Sequence, residues 1–186
     1  HRDLHSFPTR RSSDLAVLGV QILSDNQILA PLNENQQRII IKSIEYHNKK
    51  TLPDGLDKEL DLFAKIIRDA DKLDIYRVVL GYLEIYENDP ANFPLELDFP
   101  NNHQQSRHVI EAILNNQLID YRSLKNMDDM KLLQVGWIYD LNFPATLRRI
   151  KENQYIDKIF DYLPENADIF KVRQHVQSYI EKSINT

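Results

Sequence analysis

The chain has 186 residues, of which 42% are hydrophobic, and it contains no cysteine. A chain of this length and apolar content can bury a core without disulfides, and thiolate metal sites are excluded. The formal net charge of −5 argues against a general nucleic-acid binder, and no apolar run approaches the roughly 20 residues that a membrane-spanning helix needs.

The first fifteen residues, HRDLHSFPTRRSSDL, differ in composition from the rest of the chain. They begin like the His-Arg-Asp loop of a protein kinase, but that loop needs an Asn five residues after its Asp, and here Pro8 follows Asp3 at that distance. An arginine- and serine-rich transit peptide is a second interpretation. One reading frame of a widely used short-read sequencing adapter resembles the segment at all fifteen positions. We therefore expect a non-native tail over 1–15, and a natural sequence that starts at about Ala16 and has lost its upstream part.

The remainder is predicted to be all-α, because its apolar residues recur with helical spacing and no stretch alternates as a strand does. The apolar run AVLGVQIL, over 16–23, is typical of the end of a buried helix. Asn33 and Gln36 predict the capped start of a helix that continues to about residue 48. Pro53 and Gly55 mark a loop, and about thirty residues over 57–86 then follow helical periodicity.

The second half of the chain begins with an irregular connection over 88–102, which contains three prolines. Four more helical patterns follow, near 103–116, 126–140, 144–163 and 166–183. Pro164 and a predicted cap at Asn166 separate the last two helices.

The segment KIIRDADKLDIYRV, over 65–78, contains the main candidate for chemistry. Asp71 lies four residues from both Ile67 and Ile75, so helical spacing puts its carboxylate on a largely apolar stripe. A carboxylate there must meet a cation or hydrogen-bond donors, because its desolvation is otherwise costly. The pattern leaves a structural carboxylate and a metal ligand open. An EF-hand is excluded, because its sixth loop position would be Asp74 instead of Gly.

A second candidate is His47, in the segment IEYHNKKTLP over 44–53. It shares a predicted helix face with Ile40 and Ile44 close to the end of the helix. From this pattern His47 is either a packed or capping residue or a ligand. A solvated ion pair is one interpretation of Asp69 and Lys72, which are three residues apart.

Together, SIEYHN, the LP that follows it and AKIIRDADKLDIYRV resemble the late part of the HD-domain superfamily of metal-dependent phosphohydrolases. The resemblance covers about residues 16–86. It implies an incomplete HD-like helical bundle over 16–88, on which a C-terminal helical extension over 89–186 packs. In the superfamily the metal ligands follow the order His, His-Asp and a distant Asp. The resemblance implies that Asp71 is this final Asp, that His47 is an additional metal ligand or a phosphate contact, and that Lys72 offsets phosphate charge.

The chain contains no His-Asp dipeptide, so the other ligands should lie upstream of Ala16. The resemblance implies that the intact parent uses one or two divalent metal ions to hydrolyse a phosphate ester or nucleotide, and that this fragment is inactive. We expect a cytoplasmic protein whose partner is a phosphorylated small molecule or nucleotide, with no DNA, RNA or membrane partner. Helix faces that the missing helices would cover should be exposed and apolar. The alternative is a non-catalytic interaction or regulatory module on an HD-like scaffold.

Overall fold

A computed structural model of the protein describes residues 11–89, 100 and 102–185. Over these residues the chain is all-helical and has no strand, which confirms the predicted class. The α-helices are α1 (Arg11–Asp25), α2 (Glu34–Tyr46), α3 (Lys58–Asn88), α4 (Arg107–Leu114), α5 (Met127–Gly136), α6 (Pro144–Glu152), α7 (Tyr155–Asp161) and α8 (Ala167–Ile184). Short 3₁₀ helices cover Tyr121–Ser123 and Trp137–Asp140. No helix in the described part of the chain is long and apolar enough to cross a membrane.

The chain divides into two compact units, His1–Asp71 and Lys72–Thr186, and the division falls inside α3. This position differs from the boundary near residue 88 that the sequence suggests. Most of the predicted non-native tail lies outside the described residues. However, α1 begins at Arg11, so the last five residues of that tail are helical.

In the first unit, α2 begins where the sequence predicts it. Asn33 Oδ1 accepts a hydrogen bond from Gln36 N at 3.0 Å, and Gln36 Oε1 accepts one from Asn33 N at 3.1 Å, so the predicted capping box is confirmed. Helix α2 packs against α1. At the start of α3, Asp57 accepts from Leu60 N at 2.9 Å and pairs with Arg38 of α2 at 2.9 Å. The hydrogen bond from Leu60 N has the largest effect on the pKa of Asp57, followed by the contact with Arg38, and both hold this pKa below its ordinary value.

The first unit exposes many large apolar side chains, each between 43% and 67% accessible. They are Leu15, Val17, Leu18 and Ile22 of α1, Ile28 in the segment after α1, and Leu62, Phe63 and Ile66 of α3. This agrees with the expectation of exposed apolar helix faces. Apolar surface on this scale marks a contact surface for other helices more often than it marks an ordinary solvated face.

The core of the second unit surrounds α5, all ten residues of which are buried. Helix α5 packs against α4 and α7, while α8 packs against α4 and α6. A helix that is buried on every side normally consists of apolar residues. Here four of its members are polar, namely Asp128, Asp129, Lys131 and Gln134, so the surrounding elements must supply hydrogen-bond partners.

Asp129, which is fully buried, joins the start of α5 to the start of α4. Its carboxylate accepts hydrogen bonds from Ser106 N at 2.7 Å, Ser106 Oγ at 2.7 Å and Lys125 N at 2.9 Å. The backbone N–H of Asp129 donates to Asn126 Oδ1 at 2.8 Å, which caps α5. Because Ser106 precedes α4, this one carboxylate fixes where two helices begin.

Lys131 joins α5 to the end of α7. Its ammonium group donates to Tyr162 O at 2.6 Å and lies 3.3 Å from Asp128 Oδ1. The side chains of Lys131 and Asp128 are only 2% and 1% exposed, so each charge depends on the other and on a second partner, which is Tyr162 O for Lys131 and Gln105 Nε2 for Asp128.

Tyr76, on the part of α3 that belongs to the second unit, also binds α5. The Tyr76 hydroxyl donates to Gln134 O at 2.9 Å, and its ring stacks on Tyr155 and meets Trp137 edge-on. Burial raises the pKa of this hydroxyl, so it remains a neutral donor.

The predicted helix over 144–163 is in fact two helices, α6 and α7. They are separated at Gln154, whose φ of 56° lies in the left-handed region. A left-handed residue breaks the helical hydrogen-bond pattern and redirects the chain. As a result, both Ile150 of α6 and Ile159 of α7 are fully buried. The predicted cap at Asn166 is confirmed, because its Oδ1 accepts from Ile169 N at 2.9 Å at the start of α8.

We predict that Asp129→Ala lowers the free energy of unfolding by about 2–4 kcal/mol, because it leaves several buried donors without an acceptor. Urea denaturation followed by circular dichroism measures the loss. The control Asp168→Ala removes an exposed carboxylate from the first turn of α8 and should cost less than about 1 kcal/mol. Equal losses in the two variants would contradict the role given to Asp129.

Candidate functional site

Arg68 is the residue around which the candidate site of the first unit is built. It is buried within α3, and its guanidinium group meets the carbonyl groups that follow the last turn of α2. Arg68 Nη1 lies 3.1 Å from Tyr46 O, 3.3 Å from His47 O and 2.5 Å from Lys49 O. The last carbonyls of a helix have no partner within the helix and carry its negative dipole end. Arg68 therefore caps α2 with a positive charge and holds the segment around His47 against α3.

His47 is the C-cap residue of α2 and is half-buried. Its Nδ1 lies 2.6 Å from Ile44 O. Because a carbonyl oxygen can only accept, Nδ1 must carry the proton in this contact. In the neutral ring Nε2 then holds the lone pair. This tautomer, fixed by a carbonyl on the other ring nitrogen, is typical of histidines that bind a metal through Nε2.

Asp71 is half-buried, as are Ile67 and Ile75, the two apolar neighbours that define its predicted stripe. The buried stripe of α3 lies one position further along and includes Arg68, Lys72 and Tyr76. Asp71 is therefore on the flank of the buried face of α3. It lies one turn beyond Arg68, on the same side of the helix, because residues three apart are neighbours on a helix surface.

Lys72 belongs to the second unit and is buried. Its ammonium group pairs with Asp140 at 2.7 Å, and the two side chains are 11% and 24% exposed. Asp69 is also buried. The interpretation of Asp69 and Lys72 as a solvated pair is therefore wrong, since both side chains are buried. A phosphate that approached Lys72 would have to compete with this carboxylate.

The described residues contain no group of three or more His, Asp or Glu side chains that could hold a metal ion. His47 and Asp71 thus do not belong to a complete ligand set within the described part of the chain. A divalent ion in a catalytic site generally needs at least three protein ligands. The residues present do not by themselves fit the metal centre that the resemblance implies.

Two residues that contact the predicted site residues were not predicted from the sequence. Arg68 contacts the backbone carbonyl of His47, and Asp140 pairs with Lys72. The spacing of four between Ala64, Arg68 and Lys72 puts them on one face of the helix, and the structure shows that this face is buried. A cation on such a face needs acceptors. Asp140 had no such signal, since it is 68 residues from Lys72 and no local rule connects them.

No protein family, curated protein or solved structure matches this chain.

We predict that Arg68→Ala lowers the free energy of unfolding by about 1.5–3 kcal/mol, since the carbonyls at the end of α2 lose a charged donor. Amide hydrogen exchange should become faster over residues 46–50, the segment that Arg68 holds. The control Lys65→Ala removes a partly exposed cation, paired with Asp61 at the surface of the same helix, and should change stability by less than about 0.5 kcal/mol. Unchanged exchange over 46–50 in Arg68→Ala would contradict the capping role.

We predict that Lys72 and Asp140 stabilise the second unit as a pair. A double-mutant cycle with Lys72→Met and Asp140→Asn should give a coupling free energy of about 1–2 kcal/mol, because the pair is largely shielded from water. The exposed pair of Arg107 and Glu111 offers a control cycle with much smaller coupling. Additive effects of Lys72→Met and Asp140→Asn would show that the contact contributes nothing.

Proposed function

We propose that this chain is part of a metal-dependent phosphohydrolase of the HD type, and that it is inactive without ligands that its sequence does not contain. The parent protein would hydrolyse a phosphate ester or a nucleotide. In this proposal Asp71 supplies the final metal-binding carboxylate. His47 supplies a further metal ligand or a contact to phosphate.

The observation that carries the proposal is the contact between Arg68 and the carbonyls at the end of α2. It brings together two segments that are distant in the sequence, IEYHN and RDADKLD. These are the two segments on which the resemblance to HD-domain phosphohydrolases depends. Since Asp71 is one turn beyond Arg68, the contact supports a shared location for His47 and Asp71 on one side of α3.

The hydrogen bond from His47 to Ile44 O is a second, independent support. A purely capping histidine would donate to the last carbonyls of α2, as His47 does, and would need nothing more. A ligand needs in addition a lone pair on Nε2, and the proton on Nδ1 provides it. The two functions are therefore compatible in one side chain.

The structure gives less support to Lys72 as a phosphate contact than to Asp71 and His47 as ligands. Its ammonium group is already paired with Asp140 at 2.7 Å. We retain it in the proposal as a conditional contact, one that requires Asp140 to share or release the ammonium group. A divalent ion remains the proposed cofactor, with the cytoplasm as the proposed location.

A non-catalytic interaction module is the second candidate function. The observation that favours it is the set of exposed apolar side chains on α1 and α3 of the first unit. Such faces serve equally well to bind further helices of the same protein or a separate partner. The two candidates differ in whether Asp71 and His47 carry any chemistry.

We predict that a longer chain, extended upstream from the source DNA, contains a His and a His-Asp before Ala16. It should bind Mn²⁺ and hydrolyse bis(p-nitrophenyl) phosphate, whereas the present chain should not. In the longer chain, Asp71→Ala should weaken Mn²⁺ binding by more than about a hundredfold, since loss of second-shell groups alone costs 10- to 100-fold. Calorimetric titration and elemental analysis measure the binding.

Asp74→Ala is the matched control, because Asp74 lies in the same motif, three residues further on, and is exposed beside Arg77. It should leave Mn²⁺ affinity and hydrolysis unchanged. If Asp71→Ala and Asp74→Ala behave alike, the role given to Asp71 is wrong. If the longer chain lacks a His-Asp, the interaction module becomes the better interpretation.

A further inference from the structure

An open groove of about 430 Å³ lies in the second unit between the C-terminal half of α3 and α7. Its charged lining is balanced, with Arg77 and Glu84 on α3 and Lys158 and Asp161 on α7. A groove with two positive and two negative side chains has no net attraction for a phosphate, for an acidic peptide or for a basic one. Its charge pattern suits a partner that carries both signs in a matching arrangement.

Gly81 lies on this groove in the interior of α3, where glycine weakens a helix. Its φ is not in the left-handed region, so the backbone conformation does not require glycine. A Cβ at this position would meet no atom within 4 Å, so packing in the protein does not require it either. The missing side chain leaves room for the close approach of another helix.

The surface of α3 around Gly81 is complementary to the same surface of a second α3 that runs antiparallel to it. Arg77 lies four residues before Gly81, and Glu84 lies three residues after it. Val78 and Ile85, which are 38% and 46% exposed, lie three residues before and four residues after. A second α3 that runs antiparallel across Gly81 would therefore face Arg77 with Glu84, and Val78 with Ile85.

We propose that a second copy of this chain binds here, with the two α3 helices antiparallel and a two-fold axis close to Gly81. A two-fold contact uses the same patch on both copies, so each favourable pair occurs twice. The groove beside α3 accommodates the partner helix, and the charges of α7 lie at the rim of the contact. The proposal does not depend on a hydrolase activity, since neither His47 nor Asp71 takes part.

Charge reversal provides the test, with sedimentation equilibrium of the full chain over a range of concentrations. The chain should form a concentration-dependent dimer that weakens as salt is added. In the proposed dimer, Arg77→Glu places the new Glu of each copy against Glu84 of the other copy. Glu84→Arg places the new Arg of each copy against Arg77 of the other copy. Each variant alone should raise the dimer dissociation constant by about tenfold or more, since like charges that face each other disfavour association.

An equimolar mixture of the two variants is the decisive measurement, because each acidic pair then meets a basic pair and a heterodimer should form. Residues 77 and 84 are about 10.5 Å apart along one helix at 1.5 Å per residue, so rescue cannot come from a contact within one chain. Arg107→Glu, a reversal of an exposed arginine on α4 that pairs within its own helix, should leave the dimer unchanged.

Three results would overturn the proposal. The first is a chain that stays monomeric at every concentration tested. The second is a dimer that neither reversal weakens, as expected if the apolar faces of the first unit mediate it instead. The third is a mixture of the two variants that associates no better than each variant alone.

Discussion

A charged group that leaves water must meet opposite charge or hydrogen-bond partners, and this constraint organises both units of the protein. Six charged side chains are buried among the described residues, and at least four of them connect separate helical elements, including Lys72, which joins α3 to the 3₁₀ helix that ends at Asp140. Arg68 joins α3 to the end of α2, Asp129 joins α5 to the start of α4, and Lys131 joins α5 to the end of α7. The partners are largely backbone groups at helix ends, which are the groups that a helix cannot satisfy internally.

This use of charge has a consequence for how specific the fold is. Apolar contacts alone tolerate sliding and repacking, whereas a buried ion with the wrong neighbours is strongly unfavourable. The ten buried residues of α5 illustrate the difference. Apolar packing alone does not fix the register of α5, but Asp129 meets the two donors of Ser106 only when Ser106 lies at the start of α4, next to α5. The polar residues of α5 thus select one arrangement from those that the apolar residues allow.

The same constraint determines which segments meet at the candidate site of the first unit. Arg68 has a structural function, yet the structure it produces brings the His47 segment to the turn of α3 that precedes Asp71. A site of this kind needs no separate scaffold, because the residues that stabilise the contact also determine which side chains become neighbours. The two surfaces to which we give a binding function differ in the chemistry of their side chains. The faces of α1 and α3 in the first unit are apolar, and the groove at Gly81 is lined by balanced charge.

Several features of the protein were determined by its sequence alone, because they depend on neighbours within four residues. The all-α class, the capping box of Asn33 with Gln36, the cap at Asn166 and the location of His47 at the end of α2 are of this kind. The break at Gln154 was missed because no glycine or proline marks it. The left-handed residue accompanies the burial of Ile150 before it and Ile159 after it, and that burial depends on tertiary packing.

Tertiary structure alone decided which buried charges meet. Lys72 pairs with Asp140, which is 68 residues away along the chain. Arg68 was not predicted as a site residue, because its acceptors are carbonyl groups, which every residue carries and no sequence pattern can distinguish. Local spacing fixes where a charge lies on its own helix. The free energy of desolvation then decides its partner, and that depends on which helices come together.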